Sequence, residues 1–322
     1  MKNFYIIRNF LLALLCMAGT RSSAQEINFS RAQDMTTWYN PALKTEQKRS
    51  VKLNYRNINY DGLIAYNSTS AMFDMGIGGG EEGSGGFLGL SIGAASDKSN
   101  QDVLNNTLGL LGISYAVPLG GNGIYIAAGA QGSYFQSRLK TGSMIAFGDQ
   151  YDQYGPIEGS VSNDALAAGW SYNYFSMNAG LSVFGNSTSG NWYIGTSVMN
   201  ANRPFANEIK TEDFRQHRRL GIQAGYKFIT PEKDECAFNS SLNWQGKAYK
   251  HFFNGVYFKQ LKGIDGGIGI GMGYRYDDAL VPSVELRYDK AIIALGYDVN
   301  ISSINAAAVR RNGMELALRF DF

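Results

Sequence analysis

The chain has 322 residues, a formal net charge of +2 and a mean hydropathy of −0.21. This near-neutral charge argues against a nucleic-acid-binding surface. Beyond the N-terminal leader, no stretch reaches the roughly 18 consecutive apolar residues that a membrane helix needs. The 39 glycines, 20 tyrosines and 18 phenylalanines, against only 6 prolines, favour β-strands.

The N-terminus has the pattern of a secretory signal peptide. Lys2 and Arg8 form a basic start, and residues 10–18 are an apolar run too short to cross a bilayer as a helix. Residues 22–24, Ser-Ser-Ala, offer a cleavage site. We therefore expect a cleaved signal peptide over residues 1–24, with a retained membrane anchor as the alternative.

A lead segment over residues 25–48 comes next and contains Trp38, Tyr39, Asn40, Pro41 and Ala42. Asn-Pro favours a turn, and the aromatic pair predicts an ordered role for the segment. We expect it either at the periplasmic mouth of a barrel or in the lumen.

From residue 49 onward, alternation of period two dominates. For example, Ile268, Ile270, Met272 and Tyr274 are separated by glycines. A soluble antiparallel sheet with one wet face would also alternate. Aromatic residues at the ends of the apolar face, opposite a face of glycines and charges, favour a transmembrane antiparallel β-barrel over residues 49–322.

The alternation predicts about 14 strands, an even number as expected for a bacterial barrel. Predicted long connections over residues 140–170, 200–217 and 300–313 follow odd-numbered strands, and predicted tight turns follow even-numbered ones. The glycine-rich connection over residues 76–86 follows an even-numbered strand but is long for a tight turn. The predicted strands begin near Val51, Leu63, Gly86, Val103, Ile124, Ser171, Asn191, Arg219, Ala237, Phe252, Gly266, Val281, Ala291 and Met314.

The last strand ends on an aromatic residue. Leu316, Leu318, Phe320 and Phe322 alternate with polar or small residues. This is the pattern that barrel-assembly machinery recognises, so we expect these four residues to form the assembly signal.

The sequence contains no recognisable set of catalytic, cofactor-binding or metal-binding residues. His217 and His251 are expected near strand ends, and Cys236 is the one cysteine beyond the leader. An outer-membrane hydrolase, a minor hypothesis, would need a serine and a histidine paired on the barrel wall.

Several segments in order resemble the PorP/SprF family of Bacteroidetes. The residues Asp34-Met35-Thr36-Thr37-Trp38-Tyr39-Asn40-Pro41-Ala42 are similar to its opening "Q-Y-M…N-P-A". Residues 113–119, Ile-Ser-Tyr-Ala-Val-Pro-Leu, resemble its fourth strand. The ending over residues 314–322 resembles its closing strand.

The resemblance implies a non-enzymatic outer-membrane barrel of the type IX secretion system. Its implied partners are other secretion components and a large secreted or surface protein, such as a gliding-motility adhesin. Outer-membrane lipid and the barrel-assembly machinery are further expected partners. The alternative is a diffusion or uptake channel of the fatty-acid transporter type.

Overall fold

The computed structural model describes residues 29–60, 65–78, 85–99, 103–120, 123–140, 148–157, 159–163, 169–206, 215–302 and 311–322. The predicted signal peptide and the first four residues of the lead segment lie outside these ranges.

Fourteen antiparallel strands form one closed barrel, in which the first strand pairs with the last. This confirms the predicted fold class and strand number. The barrel strands are β1 (Ser50–Tyr60), β2 (Ala65–Gly78), β3 (Phe87–Ser99), β4 (Leu104–Pro118), β5 (Ile124–Leu139), β8 (Trp170–Ser187), β9 (Gly190–Met199), β10 (Arg219–Ile229), β11 (Glu235–Gln245), β12 (Ala248–Gln260), β13 (Gly266–Arg275), β14 (Ala279–Tyr288), β15 (Ala291–Asn300) and β16 (Arg311–Asp321).

Local details differ from the sequence prediction at the β5–β8 connection and at the start of β12. The connection between β5 and β8 contains a small hairpin, β6 (Tyr151–Asp152) with β7 (Gly155–Pro156), which was not predicted. β12 begins at Ala248 because its ladder with β11 continues to a two-residue turn. His251 is therefore the fourth residue of β12, still close to its first residue.

The alternation arises because successive side chains of a strand point to opposite faces. Outward side chains are large and apolar, such as Ile270 and Leu295 on β13 and β15. Inward side chains are glycine, small or charged, such as Glu285 and Asp298, which are buried. Among the residues that the structure describes, no α-helix has the length and hydropathy of a membrane span.

The connections differ between the two ends of the barrel. Long connections join β5 to β8, β9 to β10 and β15 to β16 at one end, here the loop end. The start of β1, the end of β16 and the tight turns from β8 to β9 and from β14 to β15 lie at the other, here the turn end. The predicted separation of long and short connections is thus confirmed.

The wall is taller on one side. β5 has 16 residues and β8 has 18, whereas β9 has only 10. β8 continues from Ala179 to Trp170 beyond its last pair with β9, toward the loop end. β8, together with β5, β4 and β3, which reach the same ladder row, therefore extends beyond β9 at this end.

Residues 29–49, here the lumenal segment, lie inside the barrel. They contain a 3-10 turn (Ala32–Met35) followed by one turn of helix, α1 (Thr36–Tyr39). Met35, Trp38 and Tyr39 are buried against inward side chains such as Met72 and Leu110. The apolar core therefore lies between this segment and the wall, and of the two predicted positions the lumen is the observed one.

Replacing Ile270 with Arg is expected to lower the free energy of unfolding in lipid vesicles by about 2–4 kcal/mol, because an outward cation mid-strand must enter hydrocarbon. Ile270 is 62% exposed when lipid is absent. Urea titration followed by tryptophan fluorescence measures the change.

Tyr154→Arg is the matched control, since Tyr154 is 88% exposed but lies in the β6–β7 hairpin at the loop end. This variant should leave the free energy of unfolding unchanged. Equal effects of the two substitutions would contradict the assignment of the outward face to lipid.

Candidate functional site

Asn40 fastens the lumenal segment to the wall. Its side chain is fully buried, and its Nδ2 donates to Gln223 Oε1 at 3.0 Å and to the carbonyl oxygen of Thr196 at 3.1 Å. Its Oδ1 accepts a hydrogen bond from the Ala42 amide at 2.9 Å, which closes the Asn-Pro-Ala turn. One amide therefore both shapes the segment and binds it to β9 and β10.

Three wall glycines make room for this turn. Gly129 on β5 and Gly180 on β8 face each other across the ladder, and Gly195 lies nearby on β9. A Cβ on Gly129 would lie 2.6 Å from the carbonyl carbon of Pro41, and one on Gly180 would lie 1.9 Å from Asn40 Oδ1. The close approach of the segment therefore requires the absence of side chains here.

The residues of the predicted motif lie close together beside these wall glycines. Trp38 packs beside Gly93 of β3, and Ala42 joins a buried aromatic cluster that includes Phe87 and Phe184. The structure thus brings Trp38 through Ala42 together in the lumen. A functional role for these five residues stays a prediction.

Charged groups hold the start of the segment. The Ser30 amide donates to Glu315 at 2.7 Å, and the Arg31 guanidinium contacts both Asp34 and Glu285 at 2.5 Å. All five residues are buried. The segment is therefore tied to β14 and β16 as well as to β9 and β10.

Asp298 connects this start to two wall arginines. Arg56 of β1 and Arg275 of β13 each contact its Oδ2 at 2.5 Å, and Arg275 also donates to Ser30 Oγ at 2.6 Å. Arg275 also contacts Asp278 at 2.6 Å, and Arg56 lies 3.9 Å from Glu315. Removing the Asp298 carboxylate still leaves two cations with too little compensating charge in a mostly buried place, which is costly.

A second ionic contact holds the segment near the turn end. Asp74 of β2 accepts from Lys44 at 2.5 Å and contacts Lys52 of β1 at 2.6 Å. The Gly76 amide also donates to the Gln47 carbonyl. The segment is thus fixed at both ends and in the middle.

The contact between Arg31 and Asp34 depends on ionisation. Burial is the largest single influence and by itself raises the pKa of the Asp34 carboxyl, but the Arg31 guanidinium together with Arg319 and Lys52 holds that pKa below its usual range. Because the folded-state pKa is depressed, the contact stabilises the segment above the unfolded pKa of about 3.9. Its contribution is lost as the pH falls through the folded value.

Other candidate chemistry is sparse. No group of potential metal ligands occurs among the described residues. His251 Nε2 lies 3.0 Å from Ser240 Oγ on the outward face, as the hydrolase hypothesis required. No carboxylate in the described part of the chain pairs with the His251 ring, so the third group that orients a catalytic histidine is not part of this arrangement.

The predicted assembly signal lies on the outward face of β16. Leu318, Phe320 and Phe322 are exposed there, Leu316 is half-buried, and Phe322 also stacks on Phe73 of β2. The backbone of Phe322 exchanges two hydrogen bonds with Arg49. Recognition by the assembly machinery stays a prediction.

Gly129→Ala is expected to loosen the lumenal segment, because the new methyl group meets backbone atoms of Pro41 and Ala42. Overpacking of this kind costs about 1–3 kcal/mol, so exposure of the segment should rise about tenfold. The measurement is labelling of Ala42→Cys by a membrane-impermeant maleimide in a Cys236→Ser background.

Gly109→Ala is the control, since a methyl group on this outward glycine of β4 meets nothing within 4 Å. Equal labelling in the two variants would show that the Asn-Pro-Ala turn does not rest on this part of the wall.

Asp298→Asn should destabilise the barrel by about 3–5 kcal/mol, because the buried Arg56 and the partly buried Arg275 lose their shared carboxylate. Urea unfolding in vesicles measures it. Asp289→Asn, in the exposed β14–β15 turn with φ 50°, should change little because asparagine accepts this conformation. A loss below about 1 kcal/mol for Asp298→Asn would contradict a structural role of this cluster.

Solved structures share the fold. A TodX deltaS2S3 mutant monoaromatic hydrocarbon channel aligns with a TM-score of 0.53 and 9% identity over 89% of this chain and 93% of that one. The Pseudomonas putida toluene transporter TodX gives 0.50 and 7% over 93% and 94%. The translocator domain of autotransporter NalP from Neisseria meningitidis gives 0.44 and 8% over 91% and 94%. At these identities the TodX likeness shows the outer-membrane barrel fold alone.

No curated protein sequence matches the chain. The family model described as type IX secretion system membrane protein PorP/SprF matches residues 22–320, nearly the whole length. The match spans both the lumenal segment and all the barrel strands, and the chain belongs to the PorP/SprF family of type IX secretion system membrane proteins.

Proposed function

We propose that this barrel is a non-enzymatic component or accessory of type IX secretion that helps a secreted or surface-attached, adhesin-like protein to reach the cell surface. In this proposal a signal peptide over residues 1–24 directs export through the inner membrane and is cleaved, and the barrel-assembly machinery inserts the chain into the outer membrane. The loop end then faces the medium, because long connections of bacterial barrels are extracellular.

The observation that carries the proposal is the packing of Asn40 against the wall glycines, which holds the lumenal segment in the barrel. The family match to secretion proteins supports it. The lumenal segment fills the lumen with packed side chains and is held at three places. A barrel filled in this way is suited to present surfaces to other proteins rather than to conduct solute. Its loops, turns and outer wall are therefore the docking surfaces in this proposal.

The alternative, an uptake or diffusion channel, has one observation in its favour. The wall behind the lumenal segment is lined by small polar side chains, including Ser70, Gln131, Asn178 and Ser182, all buried. If the lumenal segment were displaced from the lumen, these polar side chains could line a water-filled pathway through the barrel. Conductance therefore distinguishes the two functions.

Deleting the gene is expected to remove at least one large protein from the cell surface, because the partner loses its docking site. Quantitative proteomics of shaved cells and of culture medium measures the loss, and a plasmid copy should restore it. A Gly109→Ala copy serves as a control, since this outward site touches nothing within 4 Å.

The purified wild-type barrel should add little conductance to planar bilayers, whereas Gly129→Ala should increase it. An unchanged surface proteome together with large wild-type conductance would refute the secretion proposal and support the channel.

A further inference from the structure

The outward face changes character near the loop end of the taller wall. Residues that are neighbours across consecutive ladders form rows around the barrel. One row consists of Val51, Phe73, Ile92, Leu111, Gly132 and Met177 on β1, β2, β3, β4, β5 and β8. Most of its side chains are large and apolar, and Ile92, Leu111 and Met177 are among the most exposed apolar side chains of the wall.

Two rows nearer the loop end, the same strands become polar. The register aligns Tyr55, Thr69, Ser96, Thr107, Gln136 and Asn173. The following row, here the outer polar row, consists of Asn57, Asn67, Lys98, Asn105, Arg138 and Ser171. The apolar surface therefore gives way to polar side chains along one ladder row of six neighbouring strands, as expected where hydrocarbon gives way to headgroups.

These polar side chains belong to the outer wall and not to the lumen. Asp97 and Ser99, the neighbours of Lys98 in β3, point inward, since Asp97 accepts from buried Ser68 and Ser99 is itself buried. Ser137, beside Arg138 in β5, is also buried. Lys98 and Arg138 must therefore project outward.

The charge of the outer polar row has one sign. Lys98 and Arg138 are its ionic members, and the row contains no acidic residue. They lie on strands separated only by β4, so their backbones are about 10 Å apart. Asn105 lies between them and accepts from Ser96 through Oδ1, which leaves its amide N–H groups as donors. Two cations that flank an amide donor match the oxygens of a phosphate group.

The row does not continue around the whole barrel. On the β1 side its next neighbour is Met314 of β16, which is apolar and exposed, and on the other side β8 extends beyond β9. The cationic surface is therefore a local patch on the taller wall rather than a uniform headgroup belt.

We propose that the outer polar row is a binding site for the phosphorylated headgroup of an outer-leaflet lipid, with Lys98 and Arg138 as its two cationic contacts. The apolar rows below receive the acyl chains. This inference rests on the outer-membrane location in the proposed function, but not on any role in secretion. Charge attraction between each basic side chain and an anionic headgroup strengthens binding at a membrane surface.

The test uses the purified full-length barrel in neutral detergent, titrated with diphosphoryl lipid A and followed by native mass spectrometry. The Lys98→Gln/Arg138→Gln double variant should bind about tenfold more weakly or worse. Lys259→Gln/Lys262→Gln removes two charges at the turn end and should bind like wild type. Heat-modifiable migration in gels verifies that both variants fold.

Two further arms identify the ligand chemistry. Lipid A without phosphates should bind wild type and the Lys98/Arg138 variant equally weakly, and inorganic phosphate at the same concentration should not compete. The proposal is overturned if the double variant binds diphosphoryl lipid A as tightly as wild type. It is equally overturned if the dephosphorylated lipid binds wild type as well, or if free phosphate displaces the lipid. If the barrel binds diphosphoryl lipid A as expected but deletion of the gene leaves the surface proteome unchanged, the proposed secretion function is refuted and the lipid site is not.

Discussion

The pairing of β1 with β16 is the contact on which the rest of the molecule depends. A sheet in hydrocarbon must satisfy every backbone group, so its first and last strands must meet. Here they pair from Ser50 with Asp321 to Tyr60 with Arg311. Closure creates an interior that lipid cannot enter, and a fourteen-stranded circumference leaves space that wall side chains alone do not fill.

The lumenal segment fills that space, and its attachment explains the unusual interior. A wall that faced only water would not need Gly129 and Gly180 opposite each other, whereas a wall that carries a buried turn does. A charged lumen with no counter-ions would also be unstable. Asp298 and Glu285 are paired with the wall arginines Arg56, Arg275 and Arg287, and Arg31 and the Ser30 amide of the segment add contacts to Glu285 and Glu315.

The parts of the fold that depend on local pattern could be predicted from the sequence. Alternation around Ile270 and Leu295, and the contrast between long and tight connections, depend on residues close together in the chain. Contacts inside the lumen join distant positions, such as Arg31 with Glu285, 254 residues apart. The sequence showed charges on one strand face, but nothing in it could say which charge meets which.

The same limit applies to the Asn-Pro-Ala motif. The sequence indicates a turn at Pro41, and both the mouth and the lumen could accommodate it. Choosing between them requires knowing that glycines of β5, β8 and β9 converge, which follows from strand register and not from the motif. Gly109 and Gly129 look equivalent in the sequence, yet one faces outward with open space and the other lies against the Pro41 backbone.

The two ends of the lumenal segment are held by separate charge clusters. The cluster around Asp298 lies toward the loop end, whereas Asp74 and Lys44 lie toward the turn end. These clusters share no residue, so loss of one leaves the other intact. Between them Asn40 binds neutral wall groups, which salt screens little. Perturbing one cluster therefore leaves the other cluster and the middle of the segment in place.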